Sequence, residues 1–311
     1  MKKNILFTLS LMILMGCATT RNVFLGQLSP VFHEVTSVME NETDVDIVGS
    51  ALPAHLKLAE SFLGLNPRDP NILGILIQGY VAQGMTIFET QSLDDELAGR
   101  RQGDAWKKAR LCYQRAIGYG ERYLLERGVT IKELQTALRE NKILDLLTEE
   151  LRAIDREPVF YLAQAIALAA NLDKSHQRFV SYLPLSEVMT EWVCSHTPDY
   201  RAGLCPMFTA VALASRPKIL GGNAPKAREL FLETIKKFPD NFFIRIAFLQ
   251  YSVIPRSSKA DWLIQKDWFE VNKVAGRESV ARSSEDGAIP LLNSVAVRRF
   301  EIISRYEKKL F

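Results

Sequence analysis

The sequence predicts an all-α fold, a compact single-domain array of stacked helical hairpins. Three observations carry this. Apolar residues recur with a 3.6-residue period from about residue 50 to the end, and almost no stretch alternates with the period of two that a strand requires. Turn signals rich in proline, glycine, asparagine and aspartate divide the pattern into about a dozen helical segments joined by short loops. Small and aromatic residues also repeat at spacings that suit one helix packed on the next. With 311 residues, 47% hydrophobic and 24% charged, the chain is long enough to bury a large core. Its 39 Lys+Arg nearly balance 36 Asp+Glu, which argues against a nucleic-acid binder relying on phosphate neutralisation and against a disordered chain.

At the N-terminus, Lys2 and Lys3 precede an apolar run from Ile5 to Leu14, and Met15-Gly16-Cys17 follows. A basic start, a short apolar run and a small residue directly before a cysteine form the bacterial lipoprotein signal pattern. Residues 1–16 are therefore expected to be a removable signal peptide and 17–22 a tether lipidated at Cys17, with 23–311 as the helical domain. Acylation at Cys17 would anchor the protein to a lipid membrane without spanning it. Ala18 stands where an aspartate would favour retention, so the expected place is the periplasmic side of the outer membrane. Export would put Cys112, Cys194 and Cys205 in an oxidising compartment. Cys194 and Cys205 flank ten residues that include His196, Pro198 and Gly203. They either staple the turn between two helices as a disulfide or remain buried thiols, because spacing alone does not give a Cα separation. Cys112 falls in a helical pattern as a small core residue.

Along the domain, the turns are expected at Asn66-Pro67-Arg68-Asp69-Pro70, Asp155-Arg156-Glu157-Pro158 and Thr197-Pro198-Asp199, then at Arg216-Pro217 and Gly221-Gly222-Asn223, and finally at Phe238-Pro239-Asp240-Asn241 and Ser283 to Gly287. Between them, Ala109, Tyr113 and Ala116 fall at the spacing of the second helix of a tetratricopeptide repeat. There a small residue permits close approach and an aromatic fills the groove. Ala227, Phe231, Thr234 and Pro239 reproduce the pattern with its terminating proline, and Ala59, Phe62 and Pro67 give a poorer copy. The repeats are degenerate, so they indicate a tetratricopeptide-like hairpin array without regular spacing.

Three segments are poor in charge: Pro70 to Phe88, Pro158 to Leu172 and Ala202 to Ser215. A helix that is apolar on every side must be surrounded by protein, lipid or ligand. Asn71, Gln78, Gln83 and three glycines make the first unsuited to spanning a membrane. Two readings stand: three ordinary core helices, or walls of an apolar cavity in which Tyr80, Gln83, Tyr161, Gln164 and Thr209 orient a ligand.

Catalytic signatures are missing. There is no phosphate loop, no His-Glu-x-x-His helix, no Cys-x-x-Cys pair and no nucleophile elbow, so no catalytic residue, metal or cofactor is expected. His33, His55, His176 and His196 are far apart and none lies at ligand spacing; Asp44 and Asp46 lack the rest of a calcium loop. An enzyme using Cys194 with His196 would lose its nucleophile to a disulfide with Cys205.

Several blocks of the sequence carry a further signal: Ala51-Leu52-Pro53-Ala54-His55-Leu56-Lys57-Leu58 with Glu60, Asn66-Pro67 and Gln78-Gly79-Tyr80; Ala109 to Ala116 with Tyr119-Gly120; Pro158-Val159-Phe160-Tyr161; Arg216 to Ala227; and Leu292-Asn293 to Arg298-Arg299. Through them the chain resembles the TatT family, the T component of tripartite ATP-independent periplasmic (TRAP) transporters. The most specific block is Arg216 to Ala227, where the family carries a proline, a double glycine and a Lys-Ala pair, and Leu292-Asn293 to Arg298-Arg299 is similar to the family's last helix. Here Gly221 and Gly222 are expected to be structural, allowing positive φ or close backbone approach, with Asn223 capping the next helix. The sequence departs from the family at Ile166, where a tryptophan is usual. The resemblance implies a non-enzymatic, tetratricopeptide-like lipoprotein that can form a homotrimer with a channel through each protomer. It also implies pairing with a periplasmic solute-binding (P) component and passage of an apolar organic-acid or lipid ligand, without nucleic acid. The alternative is a helical-repeat scaffold of an envelope complex with a solid core and no ligand.

Overall fold

The computed structural model describes residues 36–100, 102–278 and 289–311. The signal peptide, the tether with Cys17, His33 and the turn expected at Ser283 to Gly287 lie outside the described residues. Within them the chain is helical with no strand. A short helix over 36–41, α1, precedes α2 (Val45–Leu65), whose first N–H groups are capped by the Asp44 carboxylate at 2.8 and 3.2 Å. The first expected turn falls as read: Asn66 ends α2, Asp69 caps α3 (Pro70–Ala82), and Pro70 occupies its first turn.

From α3 the chain passes without a break through a π-helical segment, Gln83–Phe88, into α4 (Glu89–Leu97). Then come α5 (Asp104–Glu126), α6 (Ile131–Arg139) with a Thr130/Glu133 capping box, α7 (Ile143–Glu150) and α8 (Arg156–Leu172). Next are α9 (Gln177–Ser181), α10 (Leu183–His196), α11 (Tyr200–Ser215) and α12 (Ala224–Lys237). The chain ends with α13 (Phe242–Phe248), a second π-helical segment at Leu249–Val253, α14 (Lys259–Glu278), α15 (Pro290–Arg305) and α16 (Glu307–Leu310).

Neighbouring helices stack largely in sequence order. α2 packs on α3, α3 on α5, α5 on α8 and α8 on α10, while α11 pairs with α12 and α15 receives both α13 and α14. The repeat positions lie at these seams: Ala109, Tyr113, Ala116, Ala227 and Phe231 are fully buried. The helical run Pro70–Leu97 is long and apolar enough to cross a membrane by length and composition, yet 72% of its most apolar window is buried in the fold. α3 and α8 are thus central helices. The third charge-poor segment differs, since Val211 to Ala214 of α11 are only partly buried and Thr209 is exposed.

The double-glycine loop between α11 and α12 has two separate physical reasons. Gly221 sits at φ 85°, where an L side chain costs about 1–2 kcal/mol. A Cβ on Gly222 would lie 2.0 Å from the Arg216 carbonyl oxygen, so no larger residue fits the loop. Asn223 then caps α12 by accepting from the Lys226 N–H at 3.1 Å. The loop carries two solvent-facing apolar side chains, Ile219 at 92% exposure and Leu220 at 66%.

At the other end, Asp261 of α14 is buried and joins three neighbours. It accepts two bonds from Arg228 of α12, at 2.9 and 2.6 Å, and others from Arg256 at 3.0 Å and Ser258 at 3.1 Å. These partners, Arg228 foremost, lower its pKa to about 2 against the opposing effect of burial. A carboxylate depressed in the folded state contributes stability that is present above its unfolded pKa of about 3.9 and lost as pH falls through the folded value. Urea melts of the wild type should therefore lose stability between about pH 4 and pH 2, and Asp261→Asn should be less stable at pH 7 with a flatter acid limb.

Candidate functional site

An apolar cavity of about 90 Å³ lies between α2, α3 and α8, with Leu204 of α11, Phe243 of α13 and Leu291 and Leu292 of α15 completing its wall, large enough for several waters or an alkyl chain. Val48, Leu52 and Leu56 line it from α2 at four-residue steps, one face of the helix. Gln78, Val81 and Ala82 come from α3, Met85 and Thr86 from the π-helical segment, and Tyr161 and Gln164 from α8. Gly79 lets α2 and α3 close on each other, since a Cβ there would meet Leu56 Cδ2 at 2.6 Å. His55 stands exposed at the margin, and α1 covers part of the cavity with Met39 and Glu40.

Glu40 fixes α1 in place. Its Oε1 accepts from Gln78 Nε2 at 2.9 Å, and its Oε2 pairs with Arg201 Nη1 at 2.6 Å. Arg201 also pairs with Glu157, to which the Tyr200 hydroxyl donates at 3.2 Å. Arg201 reaches both carboxylates because the start of α11 is a left-handed turn: φ is 49° at Arg201, 50° at Ala202 and 95° at Gly203. Two L residues in that conformation cost about 1–2 kcal/mol each, so the turn must be held. Asn241 donates to the Ala202 carbonyl at 2.9 Å, Phe238 packs so close to Gly203 that a Cβ would lie 2.4 Å from its ring, and the Cys194–Cys205 disulfide, with Cα atoms 5.8 Å apart, bridges α10 to α11 beside it.

Behind the cavity wall, Arg299 of α15 is 3% exposed and reaches both π-helical segments. It donates to the Met85 carbonyl in the first and to Gln250 Oε1 in the second at 3.1 Å, and to Thr90 Oγ1 at 2.9 Å. Its ion-pair partner is Glu89 at 3.7 Å, which also accepts from the Tyr113 hydroxyl at 2.6 Å. Burial raises the Glu89 pKa, with Arg299 and Tyr113 opposing. A π-helical turn shifts hydrogen bonds from i−4 to i−5, which frees carbonyls that a buried donor can satisfy. On the opposite side of Thr86, an open groove of about 830 Å³ runs between α2, α4 and α15, lined by both charge signs; Thr86 borders the cavity and the groove alike.

Of the residues expected to line a cavity, Tyr161 and Gln164 lie on this one. Three do not, and each is corrected by local geometry. Tyr80 is two residues from both Gln78 and Ala82, a little over half a turn of the helix, so it faces away from the cavity, where its hydroxyl donates to Glu60 and its ring stacks on Tyr119 at 5.9 Å. Gln83 opens the π-helical segment and faces α5, where Cys112 Sγ donates to its Oε1 at 3.4 Å. Thr209 lies on the exposed side of α11 and returns a bond to the Cys205 carbonyl. His196 Nδ1 sits 2.7 Å from the Trp192 carbonyl, and the neighbouring Cys194 sulfur is in the disulfide. Among the described residues no group of three His, Cys, Asp or Glu side chains is placed to hold a metal.

Sequence reading missed Glu40, Glu157, Arg201 and Arg299. Gly203 between the two cysteines was the one signal for positive φ; Arg299 reads like its neighbour Arg298, an exposed partner of Asp46. Arg299→Met should destabilise the protein by roughly 3–5 kcal/mol in urea titration, because it strands Glu89, and adding Glu89→Gln should recover part of the loss. Cys194→Ser with Cys205→Ser should cost about 3 kcal/mol by the same measurement.

A comparison with curated proteins returns no match. A family model described as TRAP transporter T-component matches residues 41–260, which span α2 to the start of α14 and therefore include most of the residues that line the cavity, the left-handed turn and the double-glycine loop. The chain belongs to the TRAP transporter T-component family.

Proposed function

We propose that this chain is a non-enzymatic subunit of a TRAP-type uptake system, tethered through acylated Cys17 to the outer membrane and facing the periplasm. In this reading it binds the solute-binding (P) component and holds an apolar ligand between α2, α3 and α8. The observation that carries it is the cavity itself: charge-poor α3 and α8 meet α2 around an apolar space instead of closing it, in a chain of a transporter-associated family. A scaffold with a solid core has no use for that space. That Thr86 borders both the cavity and the outer groove supports passage of the ligand through the protomer, with Thr86 and Ile87 as the thin wall between them. Assembly as a homotrimer belongs to this reading through the family resemblance.

The double-glycine loop is the surface we assign to the solute-binding component. Its backbone is fixed by Gly221 and Gly222, and it holds Ile219 and Leu220 in solvent within the family's most specific block. A rigid exposed apolar tip is a ready contact for a partner. Tagged full-length protein, purified from membranes, should capture the solute-binding component encoded with its transporter, and native mass spectrometry should report three copies and a bound apolar molecule. Ile219→Ser with Leu220→Ser should weaken the capture about tenfold while leaving the melting temperature within about 2 °C. Capture that survives this pair moves the interface elsewhere, and no capture by the wild type removes the partner reading.

A further inference from the structure

We propose that the cavity selects an uncharged apolar molecule ending in a hydroxyl, a group that both donates and accepts a hydrogen bond, over the carboxylate of the same chain length. This rests on the cavity being a ligand site, as read above, and sets a neutral hydroxyl compound in place of the organic acid expected from the sequence. The polar groups in the cavity wall carry the inference. Gln164 is 4% exposed, its Nε2 faces the weak acceptor Met85 Sδ at 3.3 Å, and its Oε1 has no hydrogen-bond donor. Tyr161, three residues earlier on α8 and on the same helix face, is 7% exposed.

The orientation of Gln78 settles what Tyr161 has left to offer. The Glu40 carboxylate takes the Gln78 amide N–H at 2.9 Å, so the same amide nitrogen points its second hydrogen towards the Tyr161 oxygen at 3.4 Å. Tyr161 therefore accepts there, and its own hydroxyl hydrogen meets no acceptor among the described residues. One face of α8 thus presents an unused acceptor, Gln164 Oε1, and an unused donor, the Tyr161 O–H. A buried polar group without a partner costs about 1–3 kcal/mol, which a ligand can relieve.

A hydroxyl satisfies both groups at once. A carboxylate offers only acceptors, so it leaves Gln164 Oε1 unpaired and adds a negative charge beside Glu40. No described lining residue is a lysine or arginine, and the nearby Arg201 is already shared between Glu40 and Glu157. Burying an unpaired anion in such a site is strongly unfavourable.

The test is equilibrium dialysis of the full-length protein in nanodiscs at pH 8, with tritiated 1-octanol, octanoate and 1-chlorooctane and with empty nanodiscs subtracted. We expect 1-octanol to bind at least about tenfold more tightly than octanoate. Gln164→Leu and, separately, Tyr161→Phe should each weaken 1-octanol severalfold while 1-chlorooctane binding holds or improves, which also shows that the variant cavity is intact. Equal binding of all three probes, or tighter binding of octanoate, overturns the selection and leaves the cavity reading in place. Failure of every probe to bind the wild type overturns the cavity reading and the selection with it.

Discussion

The guanidinium of Arg299 is the contact on which the centre of this molecule depends. Two helices in the core contain π-helical turns, and each leaves its backbone one residue out of step with the helix that precedes it. Such turns persist only where something outside the helix compensates them. Arg299 does so from α15, binding the Met85 carbonyl in one and Gln250 in the other, with Glu89 and Thr90 completing its shell. The last long helix of the chain is thereby joined to the third through hydrogen bonds that a hydrophobic contact could not replace. Met85 and Thr86 keep their places on the cavity wall for the same reason.

The second constraint lies at the start of α11. Three successive left-handed residues are an unfavourable way to begin a helix, yet they aim Arg201 back across the fold at Glu40 and Glu157. The disulfide reaches the turn from α10 while Asn241 and Phe238 reach it from the loop between α12 and α13, and each opposes relaxation in a different way: by a covalent bond, by a hydrogen bond and by steric contact. Strain concentrated next to a cavity, and held in this manner, belongs to a positioned site more than to an ordinary connection.

Most of the fold was legible in the sequence because it rests on local rules. Asp69-Pro70 and Asn223 cap the helices they were expected to cap, and the small and aromatic repeat positions are buried at helix seams, since capping and 3.6-residue periodicity are properties of short windows. Charge content located two of the three central helices but misjudged the second half of α11, where Val211 to Ala214 are only partly buried. Less of the site was legible. Tyr161 and Gln164 were named, whereas Tyr80 falls on the side of α3 turned away from the cavity and Gln83 opens the π-helical turn, which changes the rotation per residue from that point. Glu40 and Arg201 meet across 161 positions of sequence, and nothing in either neighbourhood announces the pairing.

The burial of Cys112 has a chemical consequence of its own. Disulfides rearrange when a thiolate attacks one of their sulfurs, and a free thiol elsewhere in the chain is a built-in attacker. In this fold burial pushes the Cys112 thiol up to about 12, so almost none of it is ionised at neutral pH. The Cys194–Cys205 bond is therefore shielded from attack by Cys112 through the packing of a distant helix, and this thiol becomes inert once the fold has closed around it.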